Sequence, residues 1–221
     1  MSIPVRIQAL GNEGFLVQYS NTVLIFDPIS DDIPSKALTS QLNVDFILVT
    51  HDHWDHFNLD LICKIALPTT RIIGPQPVAN ILRKHKMAKY VIEMEPLKYG
   101  PNCHLKINNV DITAFKTVHS KSHNSYLVSF PAFRFFHDGD NERTDILPVE
   151  QIGKLNVLFL CPWQGSEWEK FIERLKPEHW IIMHLTESEY DELERGVFFD
   201  GITDHVPMAP LVLRPGEKIE L

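Results

Sequence analysis

The chain has 221 residues, 44% of them hydrophobic and 23% charged, which is ordinary for a soluble globular protein and ample for a substantial core in one domain. Twenty-nine acids against twenty-one Lys and Arg leave a formal charge of -8, a balance that argues against a nucleic-acid binder. No basic segment followed by an apolar stretch opens the chain, so no signal peptide is expected. The longest apolar runs, at 46–49 and 157–161, are too short to cross a bilayer. Cys63, Cys103 and Cys161 form no C-x-x-C pair, which points to a reduced, cytoplasmic protein.

In chain order, residues 5–10, 15–19 and 22–26 are β-rich, with Ser20-Asn21 supplying a hairpin turn. Asp27-Pro28 opens a polar, Pro-containing loop to about residue 41. Residues 45–50 form an almost continuous apolar run, the pattern of a strand buried on both faces. Residues 77–86 read as a helix with basic residues at its C-terminal end. Hairpins follow at 105–116, turning at Asn108-Asn109, and at 125–137, turning at Pro131. Helices are then expected at 150–155, 167–175 and 187–194, strands at 157–160 and 180–183, and a short strand after Pro215-Gly216. Two sheets with helices outside would accommodate this order.

The buried strand at 45–50 ends in Thr50-His51-Asp52-His53-Trp54-Asp55-His56. Three imidazoles and two carboxylates in six residues suit a divalent cation that takes nitrogen and oxygen ligands. The spacing is too tight for one helical face and cannot continue a strand. In a loop, His51 and His53 can point one way while Asp55 and His56 point the other, dividing the ligands between two ions. The plain alternative is a polar loop with solvated histidines.

The segment matches H-x-H-x-D-H, and with it the chain resembles the metallo-β-lactamase superfamily. Further landmarks of that family recur in order: Thr117-Val118-His119-Ser120, Phe136-His137-Asp138-Gly139-Asp140, Ile181-Ile182-Met183-His184, and Asp27 in Ile25-Phe26-Asp27-Pro28. The resemblance implies an α+β fold, the four-layered αββα sandwich, spanning the chain as one domain. It implies two divalent metal ions, zinc or else manganese. One would be held by His51, His53 and His119 and the other by Asp55, His56 and His184, with Asp140 bridging and Asp27 supporting the loop. Asp138 is easily confused with Asp140, which is preferred because it follows Gly139. Cys161, Trp163 and Gln164 replace small residues common in the family, and Asn156 stands where many relatives carry Asp.

His123 is read either as an exposed loop histidine or as a residue that touches substrate or supports the metals. His85, His104, His179 and His205 show no constellation. Trp54 is expected to pack over the metal loop, and Trp163 and Trp168 to cover the core.

In the implied mechanism, two close ions lower the pKa of a shared water until hydroxide is available, and Asp55 orients it or accepts its proton. The resemblance is nearest to compact members similar to L-ascorbate phosphate lactonase, which implies a small lactone or ester substrate. Phosphodiester hydrolysis on a nucleotide, nucleic acid or phospholipid head group is the alternative. A non-hydrolytic iron protein, redox or oxygenase, is the alternative from another class. The expected partner is a small-molecule substrate, with nucleic acid and membrane disfavoured and a homo-oligomer left open.

Overall fold

A computed structural model of the chain describes residues 4–29, 43–98, 100–162 and 167–221. The polar loop expected at 31–41, together with Trp163 and Gln164, lies outside the described residues. The chain falls into two compact units, one of Met1–Met94 with Leu213–Leu221 and the other of Glu95–Val212.

The first unit carries a seven-stranded mixed sheet in the order β13-β1-β2-β3-β4-β5-β6. Strands β1 (Val5–Gly11), β2 (Gly14–Tyr19) and β3 (Thr22–Phe26) form an antiparallel meander. Its second hairpin closes on the Tyr19–Thr22 pair, and Ser20 takes the left-handed φ of 55° that so short a loop demands. From β3 onward the pairing is parallel, through β4 (Phe46–Leu48), β5 (Arg71–Gly74) and β6 (Val91–Glu93). Helix α1 (Leu59–Ile65) links β4 to β5, and α2 (Gln76–Lys84) links β5 to β6. The reading along the chain passed over α1, although Asn58 caps it by accepting from the Leu61 amide and Asp60 sits in its first turn. The helices bury Leu61, Ile62, Val78 and Leu82 in one cluster with Ile25, Ile47 and Ile72 of the sheet. The last strand, β13 (Lys218–Glu220), returns to pair antiparallel with β1.

The second unit repeats this succession. Strands β7 (Gly100–Ile107), β8 (Val110–Lys116), β9 (Asn124–Ser129) and β10 (Arg134–His137) are antiparallel. Strands β11 (Val157–Leu160) and β12 (His179–Ile182) then add in parallel, in the order β12-β11-β10-β9-β8-β7. The helices are α3 (Val149–Ile152), α4 (Trp168–Leu175) and α5 (Glu187–Arg195). Helix α3 is shorter than the 150–155 expected, because Gly153 turns the chain with φ of 68°. Trp168 lies in the core as expected, its ring 5.9 Å from that of Trp180. No helix among the described residues is long and apolar enough to cross a membrane.

Chemistry collects where parallel strands end. Asp27 follows β3 and His51 follows β4 in the first unit; Asp138 and Asp140 follow β10 and His184 follows β12 in the second. Two of these positions hold left-handed backbone, Asp27 at φ 37° and His184 at φ 60°, a conformation that costs energy away from glycine and that collects at functional sites.

Candidate metal centre

In the first unit the ligand run is a turn, closed by hydrogen bonds from the His56 and Phe57 amides to the His53 carbonyl. The His51 ring touches both neighbours, with centroids 4.3 Å from His53 and 4.2 Å from His56. The His51 ring thus lies between those of His53 and His56, with His51 and His53 in one group of candidate ligand atoms and Asp55 and His56 in another.

Hydrogen bonding fixes which ring nitrogens carry protons. The wholly buried Asp27 accepts the Thr50 amide at Oδ1 (2.7 Å) and the Thr50 hydroxyl at Oδ2 (2.6 Å). Having spent its proton there, Thr50 Oγ1 can only accept from His51 Nδ1, 3.0 Å away. His56 Nδ1 likewise donates to Asp27 Oδ2 at 3.1 Å. Both histidines are thus held as Nδ1–H tautomers with Nε2 as the lone-pair nitrogen, the form that binds a metal. One aspartate sets both, directly at His56 and through Thr50 at His51.

The turn at 11–14 supports this loop and left no signal in the sequence reading. Asn12 donates to the Asp55 carbonyl at 3.0 Å. Glu13 is wholly buried, with Oε2 3.7 Å from His56 Nδ1. Glu13, Asp27 and His56 form a buried cluster of metal-ligating types in their own right.

In the second unit Asp140 lies between two histidines, Oδ2 3.3 Å from His119 Nε2 and Oδ1 3.6 Å from His184 Nε2. His119 Nδ1 is 2.9 Å from Glu142 Oε1 and donates to it, while Nε2 faces Asp140. Asp138 behaves differently. Its Oδ1 accepts from Asn141, and burial pushes its pKa up to about 8, with Asp140 adding to the rise. It is anchored inward by the protein, while Asp140 presents its oxygens to imidazoles.

Two expectations need correction. His123 is not an exposed loop residue: it is 1% exposed, Nδ1 meets Thr117 Oγ1 at 2.7 Å, and Nε2 accepts the Asp140 amide at 3.0 Å. Trp54 does not pack over the loop but stands 84% exposed beside the candidate ligands. His85 is an exposed helix cap, and His104 and His205 pair with the surface acids Asp111 and Glu173.

These donors fit a divalent cation. In each unit an imidazole nitrogen faces a carboxylate oxygen, His56 Nε2 with Asp55 Oδ2 at 3.8 Å and His119 Nε2 with Asp140 Oδ2 at 3.3 Å. Imidazole nitrogen and carboxylate oxygen brought this close are the donor types that a divalent cation takes.

The model of the β-lactamase superfamily domain matches residues 22–189. A UPF0173 metal-dependent hydrolase of Pyrococcus furiosus is 28% identical over 236 residues, covering 98% of this chain and all of the relative. Among solved structures, the metallo-β-lactamase fold protein YhfI of Bacillus subtilis matches with TM-score 0.71 at 15% identity, over 99% of this chain and 100% of that one. The diiron β-hydroxylase CmlA of Streptomyces venezuelae matches with TM-score 0.69 at 14% identity, over 100% of this chain and 54% of that one. The chain therefore belongs to the β-lactamase superfamily, has the α+β metallo-β-lactamase fold, and is a metal-dependent hydrolase.

Proposed function

We propose that His51, His53 and His119 hold one divalent ion, that Asp55, His56 and His184 hold a second, and that Asp140 bridges them in hydrolysis of a small lactone or ester. The observation that carries the reading is Asp140, with one oxygen toward each of two imidazoles. Zinc is the metal proposed, with manganese as the alternative, because imidazole and carboxylate suit both. When bound, such a pair lowers the pKa of the water it shares and polarises the substrate's acceptor oxygen.

The chain's own groups do the rest. Asp27 and Thr50 keep His51 and His56 in the ligating tautomer. Asp55, partly exposed and held by Asn12 through its carbonyl, orients the nucleophile and accepts its proton. The resemblance to lactonase-like members and the formal charge of -8 favour a small substrate over a nucleic acid. Three free cysteines agree with a reduced, cytoplasmic setting.

The test is hydrolysis of a panel of lactones, carboxyl esters and phosphodiesters by zinc- and manganese-loaded protein, with Asp140→Ala as blank and metal content measured on purification. Cleavage confined to lactones or esters is expected. Cleavage confined to phosphodiesters would transfer the reading to that class, and iron with a visible chromophore would transfer it to the chemistry of proteins such as CmlA.

A further inference from the structure

We infer that His123 is a positioning residue that fixes the spacing between His119 and Asp140 by acting as a neutral, Nδ1-protonated acceptor. The inference rests on the proposal that both are metal ligands.

The proton order follows from donors that have no choice. The Asp140 amide can only donate, so His123 Nε2, 3.0 Å away, must be its acceptor. Nδ1 then carries the proton and gives it to Thr117 Oγ1 at 2.7 Å. Ser125 spends its own proton on the Asp138 carbonyl at 2.5 Å, so Thr117 must donate to Ser125, 3.0 Å away. Every link from Asp140 through His123 and Thr117 to Ser125 therefore runs in one direction. Wholly or nearly wholly buried, these groups have little water to exchange with.

The same residue governs the loop that carries His119. Its carbonyl accepts the Thr117 amide at 3.2 Å, closing residues 117–123 at their base. Its ring meets that of His119 edge to face, with centroids 5.6 Å apart. Glu142 and Asn141 tie the loop to the Asp140 turn from the other side, through the Val118 carbonyl at 2.7 Å and the Val118 amide at 3.3 Å. His123 thus touches one ligand through its ring and the other through its amide. A core histidine retained for packing alone would require neither the acceptor nor the tautomer.

The test is zinc affinity by competition with a chromophoric chelator, for the wild type, His123→Ala, His123→Gln and Asp140→Ala, alongside ¹⁵N NMR of the His123 ring in the folded wild type. We expect His123→Ala to bind zinc about 10- to 100-fold more weakly, the usual effect of losing a group that orients a metal ligand. His123→Gln should recover much of that loss, since its carbonyl can accept from Asp140 while its amide donates to Thr117. The NMR should show the proton on Nδ1. Wild-type zinc affinity in His123→Ala, with Asp140→Ala having lost its zinc, overturns the inference. So does a proton on Nε2, a result that needs no variant and decides the matter even if His123→Ala does not fold. Wild-type affinity in Asp140→Ala overturns the two-ion reading and this inference with it.

Discussion

Asp27 grips Thr50 at two points, taking its amide at Oδ1 and its hydroxyl at Oδ2 within 2.7 Å, and through that grip reaches His51. Thr50→Val keeps the side chain's shape and removes only the relay. Zinc affinity should fall about tenfold, in line with other losses of an orienting partner, with a larger loss in Asp27→Asn, which disturbs His56 as well. Isothermal titration with zinc checks this. Wild-type affinity in Thr50→Val would show that the hydroxyl does not set His51.

Gly14 sits under Asp27. A Cβ there would meet the Asp27 carbonyl oxygen at 2.9 Å, the Gly11 carbonyl oxygen at 3.0 Å and Leu10 Cβ at 3.2 Å. Two of the three are backbone atoms that cannot rotate away. Gly14→Ala is expected to cost about 1–3 kcal/mol, the range for overpacking. At about 2–4 °C per kcal/mol for a chain of this size, a thermal melt will resolve it. An unchanged melting temperature would mean that the 11–14 turn yields easily.

Asn156 joins three strands. Its side-chain oxygen accepts from the Arg134 amide at 2.8 Å and its side-chain amide donates to Glu178 at 2.7 Å. That hydrogen bond, followed by Lys154, holds the Glu178 carboxyl below its ordinary range. A depressed acid contributes stability that is present above its unfolded pKa and lost as pH falls through the folded one. In Asn156→Asp the donor becomes a second carboxylate, so the sign reverses. The variant should melt about 2–4 °C below wild type at pH 7, roughly one hydrogen bond, and the gap should close as pH approaches 4. A gap that does not vary with pH would exclude repulsion as its cause.

Trp54 projects from the tightest part of the ligand turn into solvent. Large aromatics are buried on average, and one displayed beside a candidate metal loop offers a face for an apolar part of the proposed substrate. Trp54→Ala should leave the melting temperature unchanged while raising KM about 2- to 10-fold and altering kcat little, the range of one aromatic contact. A drop in stability without a change in KM would assign it to structure.

The proposed ligands stand out in the sequence because each follows a strand and the first four are packed into six residues, a local signal. The strands of both sheets were legible for the same reason, through alternation and hairpin turns. What supports the ligands was not. Asn12 and Glu13 meet residues more than forty positions away, and no spacing rule links a hairpin turn to a distant loop. His123 looked solvated because Ser, Lys and Ser precede it; its burial depends on an amide seventeen residues later. Trp54 failed in the opposite sense, since an aromatic inside a motif suggests packing until its direction is known. Helix α1 was missed because seven residues give too few turns for a clear period.

The chain leaves the first unit at Met94 and re-enters it only at Leu213, so β13 reaches β1 after the whole second unit has been made. On a ribosome adding about 5–20 residues per second, β1 waits on the order of tens of seconds for its outer neighbour. During that interval one rim of the first sheet presents a row of unpaired amides and carbonyls, the template on which nascent chains stick to one another. The final few residues thus serve as a late-arriving guard against aggregation, and a stop codon just upstream of Lys218 should harm yield in the cell out of proportion to the small core area it removes.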